Sequence, residues 1–287
     1  MTKIYTALRI YRDEGFGGIG RIFKIKFRPF TRRVRHVYLN IKDGFSAIFP
    51  EQDRQQRARD AGEYWSESAA SERIRDLSHW QNEGRWVKDK TWAGIGEKHF
   101  AKWELLRNAF GAKNVNERMV EWGPGGGSNM VRFAKEFDTL YGVDISEANL
   151  GECARQIALQ GRGEFEQVLI PADEPARCLN NIQGECDFFL STAVFQYFPS
   201  KEYGVEVLHL VKKLLRQGGG ALIQIRYDDL SRRFMPKSRD YKRNAITFTS
   251  YPLHEFWNLL IAAGLKPCCV QLEPDVNYAY FFIVNEA

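Results

Sequence analysis

Val120-Glu121-Trp122-Gly123-Pro124-Gly125-Gly126-Gly127-Ser128-Asn129, then twelve residues, then Gly142-Val143-Asp144-Ile145-Ser146, is the stretch whose reading decides the fold. It reads as a strand, a glycine turn, a helix and a second strand ending in an acid. Met119-Val120 closes a short buried strand. Gly123, Gly125, Gly126 and Gly127 form a turn in which backbone can approach a ligand closely. Ser128 or Asn129 is placed to cap a helix running to about Phe137. Met130, Val131, Phe133, Ala134 and Phe137 give that helix a face to lay on a sheet. Thr139 to Val143 is the next strand. It delivers Asp144 to the carboxyl end of the sheet, where open α/β sheets bind ligands. A carboxylate there can accept both hydroxyls of a ribose.

Two cofactors fit such a turn. A dinucleotide needs Gly-x-Gly-x-x-Gly with a helix N-terminus facing its pyrophosphate. Gly123 and Gly125 match, but Ser128 stands where the last glycine belongs. An acid also precedes the run, as Glu121-x-Gly123-x-Gly125. At the end of a first strand it repels a pyrophosphate and attracts the cationic amino end of S-adenosylmethionine. Charge therefore selects the sulfonium cofactor over NAD.

Together, Glu121 to Gly127 and Gly142 to Ser146 resemble the first two motifs of class I S-adenosylmethionine-dependent methyltransferases. The resemblance implies that Glu121, Gly123, Pro124, Gly125 and Gly127 flank the methionine moiety. It implies that Asp144 holds the ribose and that Ile145 packs on adenine. In the loop Pro171-Ala172-Asp173-Glu174-Pro175, family members often place an acid at the adenine amino group. Asp173 is the first candidate and Glu174 the second, and a solvated loop acid is as good a reading. Ala193-Val194-Phe195-Gln196-Tyr197-Phe198-Pro199 resembles the family's loop facing both cofactor and acceptor, with Ala193 and Gln196 on the cofactor side. Many small-molecule methyltransferases carry Gln-His there, and this chain has Gln196-Tyr197. Tyrosine, with a reference pKa of about 10, is a poor base near neutrality. Tyr197 either orients a substrate hydroxyl or packs.

The rest of the chain fits the same architecture. Ala148 to Gln160 reads as a helix, Phe165 to Ile170 as a strand, and Glu185 to Thr192 as a fourth strand beside the first. Glu202 to Leu215 is a helix, followed by Gly218-Gly219-Gly220 at its end. Ala221 to Ile225 is a fifth strand delivering Arg226-Tyr227-Asp228-Asp229 to the active edge. Leu253 to Ala263 is a helix, and Cys269 to Leu272 with Tyr280 to Val284 form an antiparallel closing pair. The resemblance supplies the strand order 3-2-1-4-5-7-6. The expected fold is α/β, a Rossmann-like class I methyltransferase. Its seven-stranded sheet is mostly parallel with an antiparallel closing strand, and a helical N-terminal extension precedes it.

The expected divisions are a basic amphipathic extension (1–60), a Trp-rich helical cap or substrate region (61–115) and the cofactor-binding catalytic domain (116–287). Residues 21–42 hold eight Lys and Arg and no acid, in a chain with a formal charge of +5. The remainder is therefore net negative, and the basic character is local. With Ile22, Phe23, Ile25, Phe27 and Phe30 interleaved, the segment suits an anionic membrane surface, a nucleic acid, or packing with its cations left wet. Pro29 opposes one long helix, and no stretch reaches the roughly 20 apolar residues of a span. A signal core with a cleavage site is also missing from the opening residues. Glu51 to Glu63 reads as an exposed helix or linker. Trp65, Trp80, Trp86, Trp92 and Trp103 are five of the seven tryptophans. They suit either the flat face of a sugar or aromatic acceptor, or the small region's own core. Gly94-Ile95-Gly96 precedes an expected helix from Glu97 to Phe110. Ser78-His79-Trp80 and Gly84-Arg85-Trp86 ahead of such a core resemble bacterial sugar and polysaccharide O-methyltransferases of the mycobacterial methylmannose type.

Methyl transfer to a hydroxyl requires in-line placement of the acceptor oxygen and a group to take its proton. His79 is the preferred base, with Tyr197 and Asp228 as further catalytic candidates. His99, Glu202 and His254 are weaker ones. Asp228-Asp229 is a candidate pair for Mg²⁺, although fixed-spacing His or Cys metal signatures are missing. The five cysteines are odd in number and include adjacent Cys268-Cys269. They point to no ordinary bridge and fit a reducing cytoplasm, and the basic segment 21–42 adds the inner membrane surface as an expected location.

The leading expectation is an O-methyltransferase for a small sugar or an oligosaccharide or glycan precursor. Methylation of a natural-product phenol or amine and a catalytically inactive binding module are the alternatives. Nucleic-acid methylation is disfavoured: Ser191-Thr192-Ala193-Val194 stands where base-flipping relatives carry Asn/Asp-Pro-Pro-Tyr/Phe. The charge outside 21–42 opposes it too. The sequence leaves the oligomeric state open.

Overall fold

The computed structural model describes residues 52–87, 89–112, 116–161, 163–228, 241–245 and 248–286. The basic segment 21–42 and Asp229 lie outside the described residues.

The strands are β1 (Arg118–Trp122), β2 (Thr139–Asp144), β3 (Glu164–Leu169), β4 (Cys186–Ser191), β5 (Leu215–Arg226), β6 (Lys266–Glu273) and β7 (Tyr278–Val284). They form one sheet in the order β3-β2-β1-β4-β5-β7-β6. The first five are parallel. β7 runs antiparallel between β5 and β6. Alternation along the strands loads both faces. Val120, Phe189, Ile223 and Phe281 point into one core, and Met119, Phe188, Leu222 and Phe282 into the other. Both-face burial is what an α/β sheet with helices on each side requires.

Helices α1 (Arg54–Ser66), α2 (Glu72–Leu77) and α3 (Asp89–Phe110) precede the sheet. α4 (Ser128–Phe133), α5 (Glu147–Ala158), α6 (Lys201–Leu214), α7 (Tyr241–Asn244) and α8 (Leu253–Ala262) follow. α6 and α8 supply Val207, Val211, Phe256 and Leu260 to the first core. α3, α4 and α5 supply Trp103, Leu106, Phe133 and Ile157 to the second. Trp103 is fully buried and stacks on Phe188 with ring centroids 4.3 Å apart.

Four local expectations change. α3 begins at Asp89, so Gly94 and Gly96 lie inside the helix. A Cβ on Gly96 would sit 2.5 Å from the Ser128 carbonyl, so glycine there lets α3 cross close to α4. α4 is capped by Gly127 at φ 85°, with no side-chain cap, and ends at Phe133; the Asn129 side chain is engaged elsewhere. Gly218-Gly219-Gly220 lies within β5, where pairing with β4 shifts register between Cys186 and Phe188. The run is therefore a bulge in a continuous strand. Finally, α1 is not a wholly exposed helix. Ala58, Ala61, Tyr64 and Trp65 are buried, and Ala61, Tyr64 and Trp65 pack with Tyr241, Ala245 and Phe248. α1 also runs through the boundary drawn at residue 60.

Candidate active site

The carboxyl ends of β1, β2 and β4 open into a cleft of about 820 Å³, part of it continuous with solvent. Its size is in the range of small-molecule sites. Register sets its floor. β1 pairs with β2 through Glu121↔Gly142 and Trp122↔Val143, and with β4 through Glu121↔Leu190. Glu121 and Asp144 thus emerge side by side at the strand ends, and both line the cleft.

Glu121 is 1% exposed. Its Oε1 accepts from Asn129 Nδ2 at 2.6 Å, while Oε2 is buried with no hydrogen-bond partner. Burial pushes its carboxyl up to about 8 against the lowering effect of Asn129. A buried, unpartnered carboxylate oxygen facing a cleft fits a cationic ligand group. Asp144 accepts from the Ser146 N–H at 2.9 Å. Burial raises it to about 6, while the N–H groups of Ser146 and Ile145, the Asn149 side chain and the Gly125 N–H oppose the shift. Ile145, Pro124, Gly123, Gly125 and Val143 complete this side.

Residues N-terminal to the sheet close the other side. The Gly126 N–H donates to the Ser78 carbonyl at 2.7 Å. A Cβ on Gly125 would lie 2.4 Å from that same oxygen, and one on Gly126 would lie 2.5 Å from the His79 carbonyl. These two glycines therefore admit the chain's own Ser78-His79 segment, a role the motif alone does not reveal. Trp80 Nε1 donates to Asn149 Oδ1 at 3.0 Å, and the Ser68 and Ser146 hydroxyls lie 2.9 Å apart.

The wall opposite the strand ends is aromatic. Trp65, Tyr197, Phe198, Tyr203 and Tyr241 line it. Trp65 and Tyr197 rings are 4.8 Å apart, tilted 44°. Trp65 Nε1 donates to the Tyr241 hydroxyl at 3.0 Å, which donates to the Tyr197 carbonyl at 2.5 Å. Burial raises the Tyr197 phenol to about 12.

Other sequence candidates fall in and out of the cleft. His79 lines it, has φ 58°, and sets its ring edge-on to Trp86 at 4.6 Å. Burial lowers its imidazole to about 4, so it is unprotonated near neutrality. Ala193 lines the cleft at φ 58°, with its N–H donating to Gln224 Oε1 at 3.2 Å. Gln196 is fully buried and is not among the cleft-lining residues. Asp173 and Glu174 are exposed and flank a separate surface hollow; Ala172 is the loop's cleft residue. Asp228 is outside the lining and donates its backbone N–H to the Tyr251 carbonyl. Glu202 and His254 are exposed on other surfaces. Among the described residues no cluster of three or more His, Cys, Asp and Glu is arranged to hold a metal.

Of the five tryptophans, only Trp65 lines the cleft. Trp92 Nε1 donates to the His79 carbonyl at 2.6 Å and Trp86 Nε1 to the Asp76 carbonyl at 2.7 Å. Trp80, Trp86 and Trp92 are thus fastenings of the cap, and Trp103 is core. Sequence reasoning missed Asn129, Asn149, Thr192, Tyr203 and Tyr241. Asn129 had a signal, an amide one turn after an acid-led glycine run, but it read as a helix cap.

A strand-end acid with an unpartnered oxygen, a second acid one strand over and a glycine turn between them meet at the open end of a Rossmann-like sheet. Residues 120–223 match the family model described as a methyltransferase domain, and the sheet around them has the class I methyltransferase fold. Magnesium protoporphyrin IX methyltransferase from Synechocystis PCC 6803 with bound S-adenosylmethionine superposes with a TM-score of 0.54 at 14% identity, over 79% of this chain and 97% of that one. A methyltransferase from Clostridium acetobutylicum ATCC 824 gives 0.50 at 13% identity, over 69% and 92%. At such identities the likeness concerns the fold. No curated protein matches the chain.

Proposed function

We propose that the chain transfers the methyl group of S-adenosylmethionine to a hydroxyl of a small sugar or glycan precursor. In this reading Glu121 Oε2 takes the cofactor's ammonium, Asp144 its ribose hydroxyls, and Ile145 with Val143 one face of its base. The cofactor brings an electrophilic methyl on a sulfonium. The chain's own residues hold the acceptor oxygen, exclude water and take the proton.

The observation that carries the acceptor class is the facing wall of Trp65, Tyr197 and Tyr203. Apart from Glu121 and Asp144, the cleft-lining residues among those described include no carboxylate, Lys or Arg. Such a wall suits an uncharged acceptor with an apolar face and hydroxyl edges, as a hexose has. The same wall is an apolar enclosure, which favours a phenol or amine as the second reading. His79, unprotonated and at the cleft, is the proposed base, with Tyr197 orienting the acceptor hydroxyl. Asp228 is a further proposed proton acceptor, and Asp228 with Asp229 is the proposed Mg²⁺ pair. Residues 61–115 serve as cap and acceptor region over the catalytic domain 116–287. Among the described residues no helix is long and apolar enough to cross a membrane. Contact of 21–42 with an anionic membrane surface belongs to the same proposal. Vesicle co-sedimentation that weakens with salt is its expected signature.

The test is transfer of labelled methyl to panels of free and nucleotide-linked sugars, phenols and amines. Label in the sugar panel alone is expected. Label confined to phenols or amines would overturn the acceptor class.

A further inference from the structure

His99 does not line the cleft, yet it is tied to the acid that does. It sits on α3, 4% exposed. His99 Nδ1 lies 2.8 Å from Asn129 Oδ1. Asn129 Nδ2 donates to Glu121 Oε1 at 2.6 Å and to Thr192 Oγ1 at 3.1 Å. On its other side, His99 Nε2 lies 3.4 Å from the Tyr280 hydroxyl. Chemistry fixes the sense of this chain. With Glu121 ionised, as cofactor binding requires, its oxygens only accept, so the amide nitrogen of Asn129 must face Glu121 and its oxygen must face His99. His99 must then carry its proton on Nδ1, leaving Nε2 to accept from Tyr280. Turned by 180°, the amide would aim its oxygen at the carboxylate, and two acceptors would oppose each other in a buried site.

We infer that His99 is a positioning residue that locks the Asn129 amide so that Glu121 is held through Oε1 and presents Oε2 to the cofactor's ammonium. This rests on the reading of Glu121 given above. An α3 residue from the cap region thereby governs cofactor affinity without touching the cofactor. Tyr280 completes the chain, with Lys102 Nζ 4.4 Å from its ring centroid.

The test compares two ligands on the full chain. S-adenosylhomocysteine carries the amino-acid tail, and methylthioadenosine keeps the nucleoside and thioether without it. His99→Leu removes the donor. It should weaken S-adenosylhomocysteine about tenfold, the loss of a hydrogen bond to a charged site, and leave methylthioadenosine within twofold. His99→Asn places an amide N–H near the position of Nδ1 and should restore most of the affinity. A purely structural His99 would weaken both ligands alike, or leave both unchanged, and either result overturns the inference. If His99→Leu misfolds, methylthioadenosine binding is lost as well, and a polar pair decides: His99→Gln, whose amide reaches the Nε2 rather than the Nδ1 position, should weaken S-adenosylhomocysteine several-fold with methylthioadenosine within twofold, while His99→Asn should not, and equal behaviour of the two variants overturns the inference. Glu121→Ala is the independent arm. If it fails to narrow the preference for the tailed ligand, the reading of Glu121 fails. If it narrows the preference and His99→Leu does not, only the His99 inference fails.

Discussion

The two sides of the cleft are built differently. On the strand side, Glu121 and Asp144 are placed by sheet register, and their neighbours in sequence declare them. On the cap side, Trp65, His79 and Trp80 come from segments far away in the chain. They are held by indole N–H groups donating to a phenol hydroxyl, an amide oxygen and a carbonyl, together with the Gly126 N–H on the Ser78 carbonyl. The strand side is fixed by many cooperative backbone bonds, and the cap side by a handful of polar contacts. Cofactor recognition should therefore resist changes in the cap unless they reach Asn129 or Asn149, while acceptor recognition should respond to the cap directly.

The largest expected effect breaks the strand side. Glu121→Gln should lower S-adenosylhomocysteine affinity by about a hundredfold, since removing one partner of a buried charge pair costs about 2–5 kcal/mol. Calorimetric titration measures it, and a change under threefold would remove Glu121 from the site.

Proton linkage sharpens the same point. The Glu121 carboxyl is raised from 4.5 to about 8 in the free protein. Between those values the native state holds a proton that the unfolded chain has released, so this group's contribution to stability falls as pH rises through that window. Cofactor binding needs the ionised form. Affinity for S-adenosylhomocysteine should climb by roughly tenfold per pH unit from pH 6 toward 7.5, with proton release, and level off as the ligand's own amine titrates at about 8. Glu121→Gln should flatten most of that rise, leaving the part owed to Asp144, which is raised to about 6. A wild-type profile with no slope would contradict it.

The junction between the sides is tested by Gly126→Val. A Cβ there would meet the His79 carbonyl at 2.5 Å and Trp80 Cα at 2.6 Å. The overpacking should cost about 1–3 kcal/mol, seen as a lower Tm, with new proteolytic cleavage between residues 67 and 87. Unchanged cleavage would mean that the cap does not rest on the turn. A smaller effect is expected from Trp65→Phe, which keeps a ring but loses the N–H to Tyr241. The acceptor KM should rise several-fold with cofactor affinity within twofold. Equal loss of both would place Trp65 in general stability. The smallest effect is Asp173→Ala, with less than a twofold change in cofactor affinity because the side chain is exposed beside a separate hollow.

What the sequence declared follows the same division. The positions of Glu121 and Asp144 were legible because a turn, an acid and a strand end are local patterns, and the strand order came only with the family that those patterns resemble. The glycine bulge in β5 was not, because a glycine run reads equally as a helix stop. The cap's tryptophans were visible by composition, but their duties were not, since an indole N–H finds its acceptor only in three dimensions. Asn129 read as a helix cap because that is the local use of its side chain; Glu121, eight residues earlier, claimed it through the fold. Gly125 and Gly126 suggested close approach of a ligand, and the structure adds a second occupant, the Ser78-His79 backbone.

The most direct measurement is a crystal structure with S-adenosylhomocysteine. The ligand's amino nitrogen should lie within hydrogen-bond distance of Glu121 Oε2, both ribose hydroxyls on Asp144, and the sulfur facing Trp65, His79 and Tyr197. A ligand bound with its amino group away from Glu121, or a cleft that side chains fill while the ligand stays out, would contradict it.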